Sequence, residues 1–130
     1  MLYFDGCVPT GSTGELRPCE YGVRDATTTV VLAGDSHAGH WLPTLEAIAQ
    51  QKQWRLVVHL RNSCPFLDVE VALPRSTQPF TGCTEWNREL RSVLTGPQRP
   101  DLLLTSRPAP ASRWRSCARP HSPAWTWPNA

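Results

Sequence analysis

A serine with two ionisable neighbours follows the most strand-like segment of the sequence. Residues 27–33 (TTTVVLA) are β-branched or apolar, as expected for a strand buried on both faces of a parallel sheet, and Gly34, Asp35, Ser36 and His37 come next. Sites in open α/β sheets lie beyond the carboxyl ends of the strands. At the start of a helix, backbone N–H groups beside the Ser36 hydroxyl can stabilise an oxyanion after attack on an ester. The spacing therefore indicates a nucleophilic serine, but it fits equally well a Ser36 that only caps the helix, with Asp35 in the turn.

A helix and a second strand are predicted after this motif. Trp41 and Leu45 recur at helical spacing with further apolar residues, and Pro43 is tolerated only near the first turn, so a helix is expected to about residue 51. Residues 54–60 (WRLVVHL) predict the next strand. A strand, a helix and a strand in this order form a right-handed unit whose strands are parallel.

A long irregular stretch separates this unit from a second helix and a third strand. Residues 61–82 contain three prolines and show little regularity. Thr84 is predicted to be the N-cap of a helix with Trp86 on its apolar face, and residues 101–105 (DLLLT) begin a third strand. The pattern is typical of a doubly wound α/β domain with a parallel sheet, here preceded by an irregular lead-in over residues 1–26.

The composition changes abruptly at Thr105. All 27 Leu, Ile, Val and Phe residues lie within residues 1–104, which carry 9 basic and 11 acidic side chains, whereas residues 105–130 contain four arginines and no acid. Twelve arginines against one lysine suggest GC-rich coding, in which a shifted reading frame yields arginine, proline and alanine. We therefore expect residues 106–130 to be a disordered Arg/Pro-rich tail read out of frame, with a genuine basic linker as the alternative. Arginines without apolar periodicity form no organised stripe, so no nucleic-acid partner is expected.

Five cysteines bear on the cellular compartment. Cys7 and Cys19 flank a short loop, Cys64 and Cys83 flank a longer one, and neither pair has the C-x-x-C spacing that zinc and redox sites favour. Two disulfides with Cys117 left over is the simplest interpretation and implies an oxidising compartment, whereas buried free thiols would suit the cytosol. The sequence shows neither a signal peptide nor an apolar run of about 18 residues, so export would require a segment upstream of this chain.

Several of these segments together resemble a known family. The similarity is to the SGNH domain fused to bacterial integral-membrane acyltransferases of the family-three type, which O-acylate cell-surface glycans, and it covers roughly residues 5–105. The segments that carry it are Gly34-Asp35-Ser36-His37, Asn62-Ser63-Cys64-Pro65 and Cys83 with Glu85-Trp86-Asn87. The resemblance implies a flavodoxin-like α/β/α fold of the SGNH-hydrolase type, an extracytoplasmic location, and acyl transfer through a serine ester. It also implies an acyl donor delivered by a membrane acyltransferase domain that this chain lacks, and a glycan acceptor.

The resemblance assigns roles to individual residues. Ser36 matches the nucleophile, and Asp35 and His37 match the flanking motif positions. Asn62 and Ser63 lie where the second motif block of the family supplies oxyanion donors, although the glycine of the wider superfamily is absent. The cysteines that follow, at positions 64 and 83, match a disulfide that tethers the long loop.

The catalytic base of the family has no counterpart in this sequence. The family carries Asp-x-x-His near its C-terminus, but no aspartate follows Asp101, and the residue three positions before His121 is Ala118. A serine hydroxyl without a base is a poor nucleophile, and a base at His40, one helical turn from Ser36, would not have the geometry of the family. We therefore expect an incomplete SGNH domain over residues 27–105 that is inactive as this chain alone, with a non-catalytic remnant as the main alternative.

A metal-dependent interpretation stays open as a second alternative. Asp35-Ser36-His37 after a strand is also similar to the Asp-x-His that opens the metal site of calcineurin-like phosphoesterases. The later Gly-Asp-x-x-Asp and Gly-Asn-His motifs of that site do not occur in the sequence. His37 and His40 can bind one metal weakly, but such histidine pairs on helices commonly bind none. No metal and no other cofactor is expected.

Overall fold

Three parallel strands form the centre of the structure, a computed structural model that describes residue 8, residues 13–73 and residues 75–106. The sheet has the order β1-β3-β2-β4, in which β2 is parallel to β3 and β4, and β1 is antiparallel to β3. In chain order, the elements are β1 (Cys19–Gly22), β2 (Thr29–Gly34), α1 (Ser36–Gly39), α2 (Leu42–Lys52), β3 (Arg55–Leu60), α3 (Thr81–Thr95) and β4 (Leu102–Thr105). The mostly parallel α/β architecture expected from the sequence is confirmed.

Two apolar cores lie on opposite faces of the sheet. Because side chains alternate along a strand, Val30 and Leu32 of β2 pack on one face with residues of α2, whereas Val31 and Ala33 pack on the other face with residues of α3. The α3 core is centred on Trp86, whose side chain is fully buried. The two crossover helices therefore cover opposite faces, and the domain has three layers.

Strand β1 lies in the segment for which no regular element is predicted. Its four residues pair antiparallel with β3 along one edge of the sheet, with Cys19 opposite Val58, and Tyr21 packs against the α2 core. The strand is only four residues long and only partly buried, so the segment shows no sustained periodicity that would predict it. Its pairing with β3 is therefore not apparent from the sequence.

The helices begin elsewhere than predicted. After the motif, the chain forms the single turn α1, and α2 follows with Pro43 in its first turn, where proline is tolerated. The prediction that Thr84 caps the next helix is wrong, because α3 begins at Thr81 with Phe80 as its capping residue. The Phe80 side chain is buried, and its carbonyl accepts a hydrogen bond from Cys83 N at 3.0 Å, so the first turn forms without a side-chain cap.

The residue before strand β4 holds the start of the strand, and within the described residues the outer edge of β4 is unpaired. Asp101 N donates to Thr29 O at 2.9 Å, and Thr29 N donates to Asp101 Oδ2 at 2.8 Å. Leu102 and Leu103 nevertheless keep 43% and 38% of their surface exposed, because among the described residues β4 pairs with β2 alone. Within the residues that the structure describes, no helix is long and apolar enough to cross a membrane. Beyond Ser106, the predicted tail lies outside the described residues.

Candidate functional site

The turn that presents Ser36 depends on a glycine. β2 ends at Gly34, whose φ of +152° is a backbone conformation that side chains rarely allow. A Cβ atom at this position would lie 2.8 Å from Ala38 Cβ. The glycine therefore lets α1 fold back directly against the end of the strand, and Ser36, the first residue of α1, lies half-buried at the carboxyl edge of the sheet.

Asp35 holds the start of α1. Its side chain is buried, and Oδ1 accepts a hydrogen bond from His37 N at 2.9 Å, which makes Asp35 the N-cap. The alternative in which Ser36 caps the helix is therefore wrong, since the cap is the residue before it. The Ser36 hydroxyl is not the cap of α1.

The two histidines after Ser36 lie on the surface. His37 Nδ1 is 3.3 Å from Asp35 Oδ1, and the His37 side chain is 64% exposed. The rings of His37 and His40 meet edge to face, with their centroids 6.1 Å apart. Within the described ranges, no group of three or more His, Cys, Asp or Glu side chains is placed to hold a metal ion. His121 lies outside the described residues.

The second predicted segment lies at the same edge of the sheet. Arg61 N donates to Gly34 O at 3.0 Å, which joins the end of β3 to the turn before Ser36. Asn62 and Ser63 follow in an exposed turn, and Ser63 has a left-handed φ of 58°. The structure thus brings the two motif segments together, while the roles of Asn62 and Ser63 as oxyanion donors stay predictions.

The long loop is tethered by a disulfide. Cys64 and Cys83 are bonded, with a Cα–Cα distance of 5.5 Å, and both side chains are buried. This pairing is confirmed. Cys19 is disulfide-bonded as well, but its predicted partner Cys7 lies outside the described residues, as does Cys117, so that pairing stays a prediction.

Asn87 connects the disulfide loop to α3. Its buried amide nitrogen contacts Pro65 O at 3.2 Å and Cys83 O at 3.1 Å, and its Oδ1 accepts a hydrogen bond from Leu67 N at 3.2 Å. Nδ2 also lies 3.4 Å from Cys64 Sγ. The Cys-x-x-Trp-Asn segment that carries part of the family resemblance therefore has a structural role: it fixes the start of the loop against the helix.

Two buried cationic or titratable side chains near this edge were not predicted. Arg61 is buried, with Cζ 5.0 Å from the centroid of the Phe80 ring; burial lowers the pKa of its guanidinium, and Glu85 opposes that shift. His59 is buried on the α3 face, its Nδ1 has no hydrogen-bond partner in the described part of the chain, and burial lowers its pKa to about 4. For His59, the signal available in the sequence was a polar residue between two apolar residues of β3; Arg61 lies just after that strand.

Comparison with known proteins identifies the family. The model of the SGNH domain that is fused to AT3 domains matches residues 6–124. The match extends past β4 into the segment whose composition differs from the rest of the chain. No curated protein and no solved structure matches the chain. Because the family match spans most of the sequence and agrees with the strand–turn–helix that presents Ser36, the chain belongs to the family of SGNH domains found fused to AT3 domains.

Proposed function

We propose that this chain is part of an SGNH-type O-acyltransferase or esterase domain that acts on cell-surface glycans through an acyl ester on Ser36. The observation that carries the proposal is the position of Ser36 at the carboxyl end of the central parallel strand, directly after a glycine turn and a buried capping aspartate. Sites in such sheets form at this edge.

The proposed chemistry has two steps. The Ser36 oxygen attacks the carbonyl carbon of an acyl donor, the serine proton leaves through a base, and the donor's leaving group departs to give a serine ester. A glycan hydroxyl then attacks the carbonyl carbon of that ester, its proton passes through the base to the Ser36 oxygen, and the acyl group stays on the glycan as the serine is released. Backbone N–H groups beside Ser36, with Asn62 and Ser63 across the sheet edge, are the candidate donors to the oxyanion of each step.

The chain alone is proposed to be inactive because the first step needs a base. The sequence contains no Asp-x-x-His. His37 is the nearest imidazole in sequence, but its Nδ1 contacts Asp35 and its ring lies on the exposed side of α1. Neither His37 nor His40 has the separation from Ser36 along the chain that the family's base has.

The proposed partners and location follow from family membership. A membrane acyltransferase domain would deliver the acyl group, and the acceptor would be an extracytoplasmic glycan. The buried disulfide between Cys64 and Cys83 supports an oxidising compartment, because structural disulfides are rare in the cytosol.

An esterase assay tests the role of Ser36. The purified chain should hydrolyse p-nitrophenyl acetate no faster than its Ser36→Ala variant, with Ser92→Ala as the control at an exposed serine of α3. Removal of one member of a catalytic triad costs about 10⁴- to 10⁶-fold in turnover, so little activity is expected without a base. Metal-independent hydrolysis that Ser36→Ala abolishes and Ser92→Ala preserves would contradict the inactivity, and His40 and His121 would be the first candidate bases.

A longer chain separates the proposal from a non-catalytic remnant. When the domain includes its own Asp-x-x-His, hydrolysis should appear and should be lost in Ser36→Ala but not in Ser92→Ala. If the longer chain is folded and inactive, the catalytic proposal is wrong. Activity on a phosphodiester that requires Mn²⁺, survives Ser36→Ala and fails in Asp35→Ala would instead support the metallophosphoesterase alternative.

A further inference from the structure

A β-turn carries the two side-by-side residues that are candidates to stabilise the oxyanion. Arg61 N donates to Gly34 O at 3.0 Å, and Arg61 O accepts a hydrogen bond from Cys64 N at 3.2 Å. Asn62 and Ser63 are therefore the central residues of the turn, and both are exposed. The hydrogen bond that closes such a turn uses neither of their N–H groups, so within the described residues both donors stay available at the carboxyl edge of the sheet.

The two ends of this β-turn are held by the same turn of α3. Cys64, at the end, is joined to Cys83 by the disulfide. Arg61, at the start, has its guanidinium carbon 5.0 Å from the centroid of the Phe80 ring. Phe80 O accepts a hydrogen bond from Cys83 N at 3.0 Å, so both contacts reach one helical turn. The β-turn and the start of α3 therefore form a closed ring of contacts.

Two features of the β-turn have an energetic cost. Ser63 has a left-handed φ of 58°, which residues other than glycine seldom adopt. Arg61 is 1% exposed, and a buried guanidinium loses hydration that an apolar side chain packed against Phe80 would not lose. Burial lowers the pKa of this guanidinium, and Glu85 of α3 opposes that shift. Costs of both kinds concentrate at sites where a protein holds a functional geometry.

We propose that Arg61 is a positioning residue for acyl transfer at Ser36, an inference that rests on the proposed function. Its guanidinium holds the start of the β-turn against α3, as the disulfide holds the end. Arg61 N is also bonded to Gly34 O, so the β-turn keeps a fixed position relative to Ser36. The N–H groups of Asn62 and Ser63 can therefore meet the oxyanion that forms at Ser36 without first being ordered.

The contribution of Arg61 should appear in the transition state. The oxyanion exists only during the reaction, so displaced donors weaken transition-state stabilisation and leave substrate binding nearly unchanged. Arg61→Met keeps a long side chain against the Phe80 ring but removes the charge, whereas Arg61→Lys keeps a cation there. A residue that only packs would tolerate the first change, because an apolar replacement of a buried cation is commonly neutral for stability.

Kinetics of the longer chain that includes its own Asp-x-x-His test this role. With p-nitrophenyl acetate, Arg61→Met should lower kcat about tenfold and leave KM within about twofold, a smaller loss than removal of a whole oxyanion donor. Arg61→Lys should recover kcat to within about threefold of the parent. Arg91→Met, at a half-exposed arginine of α3, is the matched control and should change neither constant.

The outcomes separate this inference from the proposed function. If Ser36→Ala abolishes hydrolysis but Arg61→Met keeps the parent kcat, the role of Arg61 is wrong and the proposed function stands. Arg61→Lys as slow as Arg61→Met would also overturn the role, since a cation over the ring would then not matter. Hydrolysis that survives Ser36→Ala would overturn both.

Backbone relaxation of the 130-residue chain tests the contact without any activity. In the parent chain the amides of Asn62 and Ser63 should be as ordered as those of β3, with order parameters of about 0.85, and in Arg61→Met they should fall below about 0.6. Phe80→Leu removes the ring instead of the cation and should have the same effect, so it replaces Arg61→Met if that variant does not fold. Arg91→Met should match the parent. Unchanged order at both amides in a folded Arg61→Met or Phe80→Leu chain would overturn the proposal.

Discussion

Three buried polar residues form hydrogen bonds that hold the segments around the site in place. Asp35 caps α1, Asn87 connects the disulfide loop to α3, and the backbone of Arg61 joins the two motif segments. Each is buried, so each bond is formed away from water. Loss of a buried partner leaves a desolvated group behind, which costs more than the bond itself contributes.

Asn87→Ala is expected to destabilise the fold by about 2 kcal/mol, because it removes the hydrogen bonds that the buried amide makes to Leu67 N, Pro65 O and Cys83 O. Urea unfolding monitored by tryptophan fluorescence measures the change. Asn62→Ala, at an exposed asparagine of the same loop, should stay within about 0.5 kcal/mol of the parent chain. Equal effects of the two substitutions would contradict the structural role of Asn87.

His59 makes the stability depend on pH. Its folded-state pKa is about 4 against an ordinary 6.5, so below pH 6.5 the unfolded chain binds the proton and the folded chain does not. The free energy of unfolding should therefore be highest above pH 6.5, as far as His59 is concerned, and should fall by up to about 3 kcal/mol as the pH drops toward 4. Urea unfolding over this range should show a smaller dependence of the unfolding free energy on pH in His59→Leu than in the parent chain, and equal dependence in the two proteins would contradict the role of His59.

Among the elements, the turn between β2 and α1 is tightly constrained. Gly34 combines a φ that other residues rarely adopt with a close approach to Ala38. This element determines where Ser36 lies, so its conformation affects both the stability of the fold and the geometry of the site.

Gly34→Ala should therefore destabilise the domain by about 2 kcal/mol or more. The added Cβ would lie 2.8 Å from Ala38 Cβ in a backbone conformation that alanine avoids. A double-mutant cycle with Ala38→Gly separates the two causes, because the second substitution relieves the contact and leaves the backbone strain. A cost below about 0.5 kcal/mol for Gly34→Ala would show that the turn can relax.

Elements with strong apolar patterns could be predicted from the sequence, and those made by tertiary contacts could not. The runs TTTVVLA and WRLVVHL predict β2 and β3 to within two residues at each end. The β1 strand is short, only partly buried and paired with β3, so it shows no such pattern, and the start of α3 depends on the buried Phe80. At the site, the position of Ser36 follows from strand order, whereas the burial of His59 depends on packing from α3, which single-residue patterns do not encode.

At the scale of the whole molecule, a small three-layer domain depends on its covalent tether. The bond between Cys64 and Cys83 joins the irregular loop after β3 to the first turn of α3, across 19 positions of sequence. It also lies beneath Asn87 in the α3 core. The disulfide therefore fixes the position of the loop relative to the helix.

Removal of this disulfide in a Cys64→Ala, Cys83→Ala double variant should cost about 3 kcal/mol, the value expected for closing a loop of this length. The midpoint of urea unfolding measures it, and Cys117→Ala serves as the control with no expected change. Peptide mapping without reduction should recover the Cys64–Cys83 link and, as predicted from the sequence, a Cys7–Cys19 link. Four free thiols in exported protein would overturn the pairing.

The bonds between Thr29 and Asp101 have a consequence for the folding rate. They join residues 72 positions apart, so β4 can pair with β2 only when the chain between these two residues has closed into a loop. The entropy of closing so long a loop grows slowly with its length, but contacts at such separations slow folding. In pulsed hydrogen exchange during refolding, the amides of β4 should therefore gain protection after those of β3, and Asp101→Ala should delay them further.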